Sequence, residues 1–76
     1  MKENIVGKNC NYYDFLGEPR IGKVVNCEIY NREFPILLCY IHDELNYDLN
    51  NKTEIIEGIL TTYAEIRKID DIEIVE

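Results

Sequence analysis

Residues 53–69, "TEIIEGILTTYAEIRKI", decide the fold, because two elementary rules read them in opposite ways. Ile55, Ile56, Ile59, Leu60, Tyr63 and Ile66 recur at the spacing of one helical face, and Thr53 is an acceptable N-cap. Periodicity therefore predicts a helix over about 54–67. Against it, Gly58 sits in mid-segment, where it costs a helix ~1 kcal/mol relative to Ala. Thr53, Ile55, Ile56, Ile59, Thr61 and Thr62 are also β-branched, which favours extended chain. Propensity therefore predicts strand, with Gly58 as a bulge.

The flanking sequence reads as strands throughout. "IVGKNCNYYDF" runs into "LGEP", where Gly17 and Pro19 supply turn chemistry, and "RIGKVVNCEIY" returns as a second β-rich run. In that run Val25, Cys27 and Ile29 alternate with Asn26, Glu28 and Tyr30, the period of a strand with one buried face. "NRE" makes a short connection, and Pro35 is tolerated at the start of a third strand, "PILLCYI". These three segments predict an antiparallel meander. The third is apolar on both faces, so something must cover its second face. Residues 43–52, "DELNYDLNNK", are rich in Asn and Asp and read as a loop. The final "DDIEIVE" alternates Ile72 and Ile74 with Asp71 and Glu73, which predicts a last strand at an exposed edge guarded by acids.

Two architectures follow for a single domain over 1–76. The first is a small β-rich domain, an SH3-like five-stranded antiparallel barrel. The alternative is α+β, with a three- to four-stranded antiparallel sheet packed by one helix at about 54–67. The opening "VGKNCNYYDFLGEPRIGKVV" resembles the first hairpin of SH3-like domains, with its Gly-x-x-Cys strand, aromatic pair, glycine turn and Gly-x-Val-Val return. That resemblance covers about twenty residues and implies the barrel.

A chain of 76 residues buries only about 60% of its unfolded surface, which leaves little room for a large enclosed cavity. The longest apolar run, Phe34 to Ile41, is far short of the ~20 residues that span a bilayer. "MKENIVGKNC" shows no apolar segment of the secretory kind, and three cysteines cannot all pair within one chain. The expected compartment is the cytoplasm, bacterial or that of a phage-infected cell, with free thiols. Net charge is −7, and all of it lies downstream of His42: residues 1–42 are balanced, whereas 43–76 carry ten acids against Lys52, Arg67 and Lys68. Such a field repels nucleic acid and attracts a basic partner.

"CYIH", residues 39–42, is the one pair that resembles a site. In a strand, however, Cys39 and His42 point to opposite faces and cannot share one metal ion or act as a thiol and its base. Cys10 and Cys27 are isolated, and no Cys-x-x-Cys exists, so neither a metal nor another cofactor is expected. "GEPRIGK" lacks the spacing of a phosphate loop. With one histidine and so small a scaffold, a preorganised catalytic centre is not expected either.

What remains is binding. The expected function is a non-enzymatic inhibitor that docks its acidic second half on a basic protein surface, such as that of a nuclease or other nucleic-acid-binding enzyme. Its carboxylates would then stand where phosphates normally sit. Phage anti-defence proteins, anti-CRISPR inhibitors among them, and toxin-immunity proteins share this small, acidic character. The expected partner-binding residues are Asp43, Glu44, Tyr47 and Asp48 in the loop, Glu54 and Glu57 in the next segment, and Asp70, Asp71 and Glu73 near the end. Two other roles follow from the same sequence: a homo-oligomer, such as a homodimer, that covers the doubly apolar third strand, and a small-ligand-binding module.

Overall fold

A computed structural model describes residues 4–46 and 51–75. Among the described residues seven strands form: β1 (Asn9–Tyr13), β2 (Pro19–Tyr30), β3 (Ile36–His42), β4 (Lys52–Ile56), β5 (Ile59–Tyr63), β6 (Glu65–Lys68) and β7 (Glu73–Val75). A single 3-10 turn, Ile69–Asp71, separates β6 from β7. Every strand pair is antiparallel, in a five-stranded sheet of order β6-β3-β2-β1-β7 and a two-stranded β4–β5 hairpin.

The deciding stretch is strand, and no α-helix forms among the described residues, so the α+β alternative with a helix at 54–67 is overturned. Gly58 gives the reason. It is not a bulge but the second residue of a two-residue hairpin turn, with Glu57 at φ 52° and Gly58 at φ 79°. Two consecutive positive φ values are the geometry that joins twisted antiparallel strands, and a helix has no place for them. The helical spacing does not mark one buried face: of the six residues that carry it, Ile56 and Tyr63 are buried, whereas Ile55, Ile59 and Leu60 are exposed.

The sheet is also not a closed barrel, because β6 and β7 stand at its two edges without a ladder between them. What is established is a small, β-rich antiparallel fold. The β1–β2–β3 meander forms as the turn chemistry predicts. Asp14 folds the first turn by accepting the backbone N–H groups of Leu16 and Glu18 on Oδ1, each at 2.9 Å, while Gly17 takes φ 79°. At the second connection Asn31 adopts φ 66° and its Oδ1 accepts from Glu33 N–H at 3.1 Å. β7 lies at an edge beside β1, as its guarded alternation predicts.

Within β2 the predicted parity breaks. The register passes from Val24↔Ile41 to Asn26↔Tyr40, so Val25 is an extra, bulged residue. A single inserted residue exchanges the faces of everything after it. Val24 and Cys27 therefore share one core while Val25 packs on the other, and Ile29 is exposed.

Two cores result, one on each face of β3. The first contains Cys10, Tyr12, Val24, Cys27, Cys39 and Ile41. The second contains Tyr40, Ile56 and Tyr63, with Val25, Leu38 and Ile66 against it, and the Tyr40 and Tyr63 rings meet edge-on at 4.9 Å. The β4–β5 hairpin thus supplies the cover that the doubly apolar β3 demands. This removes the ground for a homo-oligomer built on that strand: the cover comes from the same chain. At Ala64, whose N–H donates to Ile41 C=O at 2.6 Å, the chain leaves the hairpin and re-enters the sheet as β6.

Gly22 sets how closely β2 and β3 approach. A Cβ there would lie 2.5 Å from Ile41 Cγ2 and 2.8 Å from the backbone oxygen of His42, with Tyr12 Cε1 at 3.3 Å. Backbone cannot rotate away, so Gly22→Ala is expected to lower stability by about 1–3 kcal/mol, the usual cost of overpacking. A urea titration of the variant against the parent protein reads this directly, and an unchanged midpoint would show that β3 moves aside freely.

Candidate functional site: a groove beside the last strand

β7 pairs with β1 over Asn9, Cys10 and Asn11 only. Beyond Asn11 the 3-10 turn carries the chain away, and a groove of about 1010 Å3 opens between that turn and the end of the β1–β2 hairpin. Its floor follows from strand register. Asn11 stands opposite Glu73 on one side and Ile21 on the other, and Tyr13 stands opposite Pro19, so all five share the outward face. Tyr13 and Ile21 are 63% and 70% exposed, large apolar groups left in solvent at the bottom of a concavity. Asp70, Asp71 and Glu73 line the same groove. Asn11 Nδ2 donates to Glu73 Oε1 at 3.1 Å and fixes that carboxylate along the floor.

Tyr12, Arg20 and Arg67 also line the groove, and Tyr12 is the residue the other two are built around. Its ring lies in the first core, with the Arg67 guanidinium 5.5 Å from the ring centroid. Arg67 also donates to Tyr13 C=O from Nε at 3.2 Å and Nη2 at 2.7 Å, and to Glu65 Oε2 from Nη1 at 2.8 Å. Beyond Asn11, where β7 no longer pairs with it, β1 is locally the edge of the sheet, and this one side chain ties its end to β6, the strand at the opposite edge. On the other side of Tyr12 the phenol donates to Asp43 Oδ2 at 2.8 Å and accepts from Asn46 Nδ2 at 3.3 Å.

Asp43 is therefore not the start of an acidic face. It is 4% exposed, and besides Tyr12 it accepts from Arg20 Nε at 3.1 Å and from Leu45 N–H at 2.9 Å. Strand parity gives the reason: positions 39, 41 and 43 fall on one side, so Asp43 continues the buried row of Cys39 and Ile41. Burial pushes its carboxyl up, but the hydrogen bonds from Arg20, Tyr12 and Leu45 outweigh that and hold it below the usual carboxylate value. Burial, followed by the bond to Asp43, pushes the Tyr12 phenol up to about 12.

The other expected residues separate into groups. Asp70, Asp71 and Glu73 come together in the groove. Glu54 and Glu57 lie on the β4–β5 hairpin, and Glu44 is an exposed carboxylate 3.6 Å from His42 Nε2. None of these three lines the groove. Tyr47 and Asp48 lie outside the described residues. Sequence reading missed Tyr13, Ile21 and Asn11. Period-2 alternation across the β1 turn was the available signal, since it places all three on the face opposite Cys10, Tyr12 and Gly22.

The three thiols are core groups. Cys10, Cys27 and Cys39 are fully buried, and Cys27 stands directly opposite Cys39. Burial, reinforced by the neighbouring Cys27, pushes the Cys39 thiol up to about 12, and burial also raises Cys10. Among the described residues no trio of His, Cys, Asp or Glu is placed to hold a metal ion. A thiol held protonated and shielded is a poor nucleophile. Native protein is therefore expected to leave Ellman's reagent unreacted over minutes, and unfolding in urea should release all three thiols together. Fast reaction of one thiol in the native state would contradict this.

Asp43 gives a pH dependence. Its folded pKa lies below the unfolded value of ~3.9, so its contribution is complete above about pH 4 and disappears as pH falls through the folded value. Asp43→Asn is expected to lose about 1–3 kcal/mol at pH 7 and to lose less than the parent on acidification below pH ~4. Denaturant titrations at the two pH values check both statements; parallel acid limbs would remove Asp43 as their source. Comparison of the chain with protein-family models, with curated proteins and with solved structures finds no match, so the chemistry of the groove is what speaks for a role.

Proposed function

We propose that the protein is a small, non-enzymatic binding protein, an inhibitor that docks acidic residues of its second half on a basic protein surface, such as that of a nuclease or other nucleic-acid-binding enzyme. One observation carries this reading: Asp70, Asp71 and Glu73 converge on a groove floored by the exposed Tyr13 and Ile21. Carboxylates beside an exposed aromatic ring give charge steering and a desolvated anchor in one place, which is how binding energy concentrates at protein interfaces. The docking residues are then Asp70, Asp71 and Glu73, with Glu44, Glu54 and Glu57 adding to the long-range field, and Asp43 serving the fold. In this reading the protein works in the cytoplasm of a bacterium or a phage-infected cell, in the manner of anti-defence or immunity proteins.

The finer fold that accompanies this proposal is an SH3-like open barrel. Two features support it: a three-strand meander whose first strand is flanked by the last, and a 3-10 turn just before that last strand. Arg67, spanning from β6 to the end of β1, ties the two ends of the sheet where no closing ladder runs.

The test is capture of the partner from native-host lysate, followed by affinity measurement across ionic strength. Affinity is expected to fall about tenfold or more between 50 mM and 500 mM salt, since exposed charge pairs are screened within about a Debye length. Asp70→Asn combined with Asp71→Asn should flatten that dependence. Binding indifferent to both salt and this double substitution would refute acidic docking.

A further inference from the structure

We infer that the groove beside β7 takes an extended segment of the partner in which Lys or Arg alternates with an aliphatic residue, with the cations against Asp70 and Asp71 and the aliphatic side chains on Tyr13 and Ile21. This rests on the binding reading above and names the ligand for its site. Three observations carry it. The volume, about 1010 Å3, exceeds what any single side chain fills. The floor is the outward face of a sheet, so apolar and polar positions come in rows spaced as strand residues are: Glu73, Asn11 and Ile21 in one row, Tyr13 and Pro19 in the next. Asp70 and Asp71 stand exposed on the 3-10 turn, while Arg20 and Arg67, which also line the groove, are each already held by a carboxylate of the fold, Asp43 and Glu65.

A chain with period-two chemistry suits this shape, because alternate aliphatic side chains face the floor while the intervening Lys or Arg side chains, turned away from it, are long enough to reach over to the acids at the rim. A folded, flat basic surface would meet the acids but leave Tyr13 and Ile21 in water. A small molecule would leave much of so open a groove solvated, whereas drug-sized ligands are bound by enclosure. Each aliphatic side chain removed from water on the floor contributes on the order of a tenfold gain in affinity, the effect of burying most of a Leu or Val.

Two peptides of equal charge separate the groove from the field: acetyl-Arg-Leu-Arg-Leu-Arg-amide and acetyl-Arg-Ser-Arg-Ser-Arg-amide, each titrated at low salt into 15N-labelled protein. The Leu peptide is expected to bind about tenfold or more tighter, with amide shifts concentrated at Tyr13, Ile21 and Asp70 to Glu73. Tyr13→Ala and, separately, Ile21→Ser should reduce that preference while the spectrum stays dispersed. Both side chains point away from the cores, so the fold does not depend on them. Equal binding of the two peptides, or shifts spread over Glu44, Glu54 and Glu57, would overturn the groove while leaving acidic docking standing. Failure of both peptides to bind at low salt would overturn both.

Discussion

A buried phenol governs this molecule. Tyr12 places its ring in the first core and its hydroxyl against a carboxylate, so an aromatic group and a charge must be accommodated within one side chain's length. A hydroxyl without a partner at such a position would cost several kcal/mol. Asp43 meets that demand, and in doing so requires partners of its own, which Arg20 and the N–H of Leu45 provide. Arg67 covers the ring from the other side and ties β6 to the end of β1. Remove Tyr12, and the turn after β3, the start of β2 and the seam of the sheet lose a common anchor.

The cores it anchors are small, and their composition suits that size. Half of the fully enclosed first cluster is cysteine, a residue little larger than alanine that behaves as a hydrophobe when protonated. Compact side chains suit so thin a core, Gly22 lets β2 and β3 approach closely, and Arg67 reaches from β6 to the backbone of Tyr13 at the end of β1.

Much of the fold was legible from residue order. Turn chemistry at Gly17 and Asn31 marked the meander, and the doubly apolar run of β3 announced a covering layer before that layer was known to be the β4–β5 hairpin. Residues 53–69 were ambiguous because their isoleucines recur at helical spacing while their β-branched content favours strand. The two consecutive positive φ values at Glu57 and Gly58 distinguish them, and glutamate does not advertise such a conformation as Asn or Gly would. The bulge at Val25 was silent for a similar reason: no Gly or Pro marks it, and it flips the parity of everything downstream. At the candidate site the acids of the last segment stood out by charge. Tyr13 and Ile21 did not, because an exposed apolar residue shows itself only once the strand on its far side is known to stop at Asn11. Asp43 misled in the opposite way: its neighbours Glu44 and Asp48 suggested a solvated run, while its parity with Cys39 and Ile41 placed it inside.

The manner in which the β4–β5 hairpin joins the sheet gives the molecule two tiers of cohesion. The hairpin is a separate ladder, attached through the Ala64 junction and the packing of Ile56 and Tyr63 on Tyr40. Its outer face pairs Ile55 with Leu60, both more than two-thirds exposed, so its hold on the sheet rests on its inner residues, Ile56 and Tyr63. A unit held by so few groups has the contact pattern of a sub-global opening unit. Each opening uncovers Tyr40, Leu38 and Val25 and leaves β3 apolar on a bare face. The hairpin is therefore the shield of the second apolar face of β3, and the packing of Ile56 and Tyr63 is what keeps that face from water.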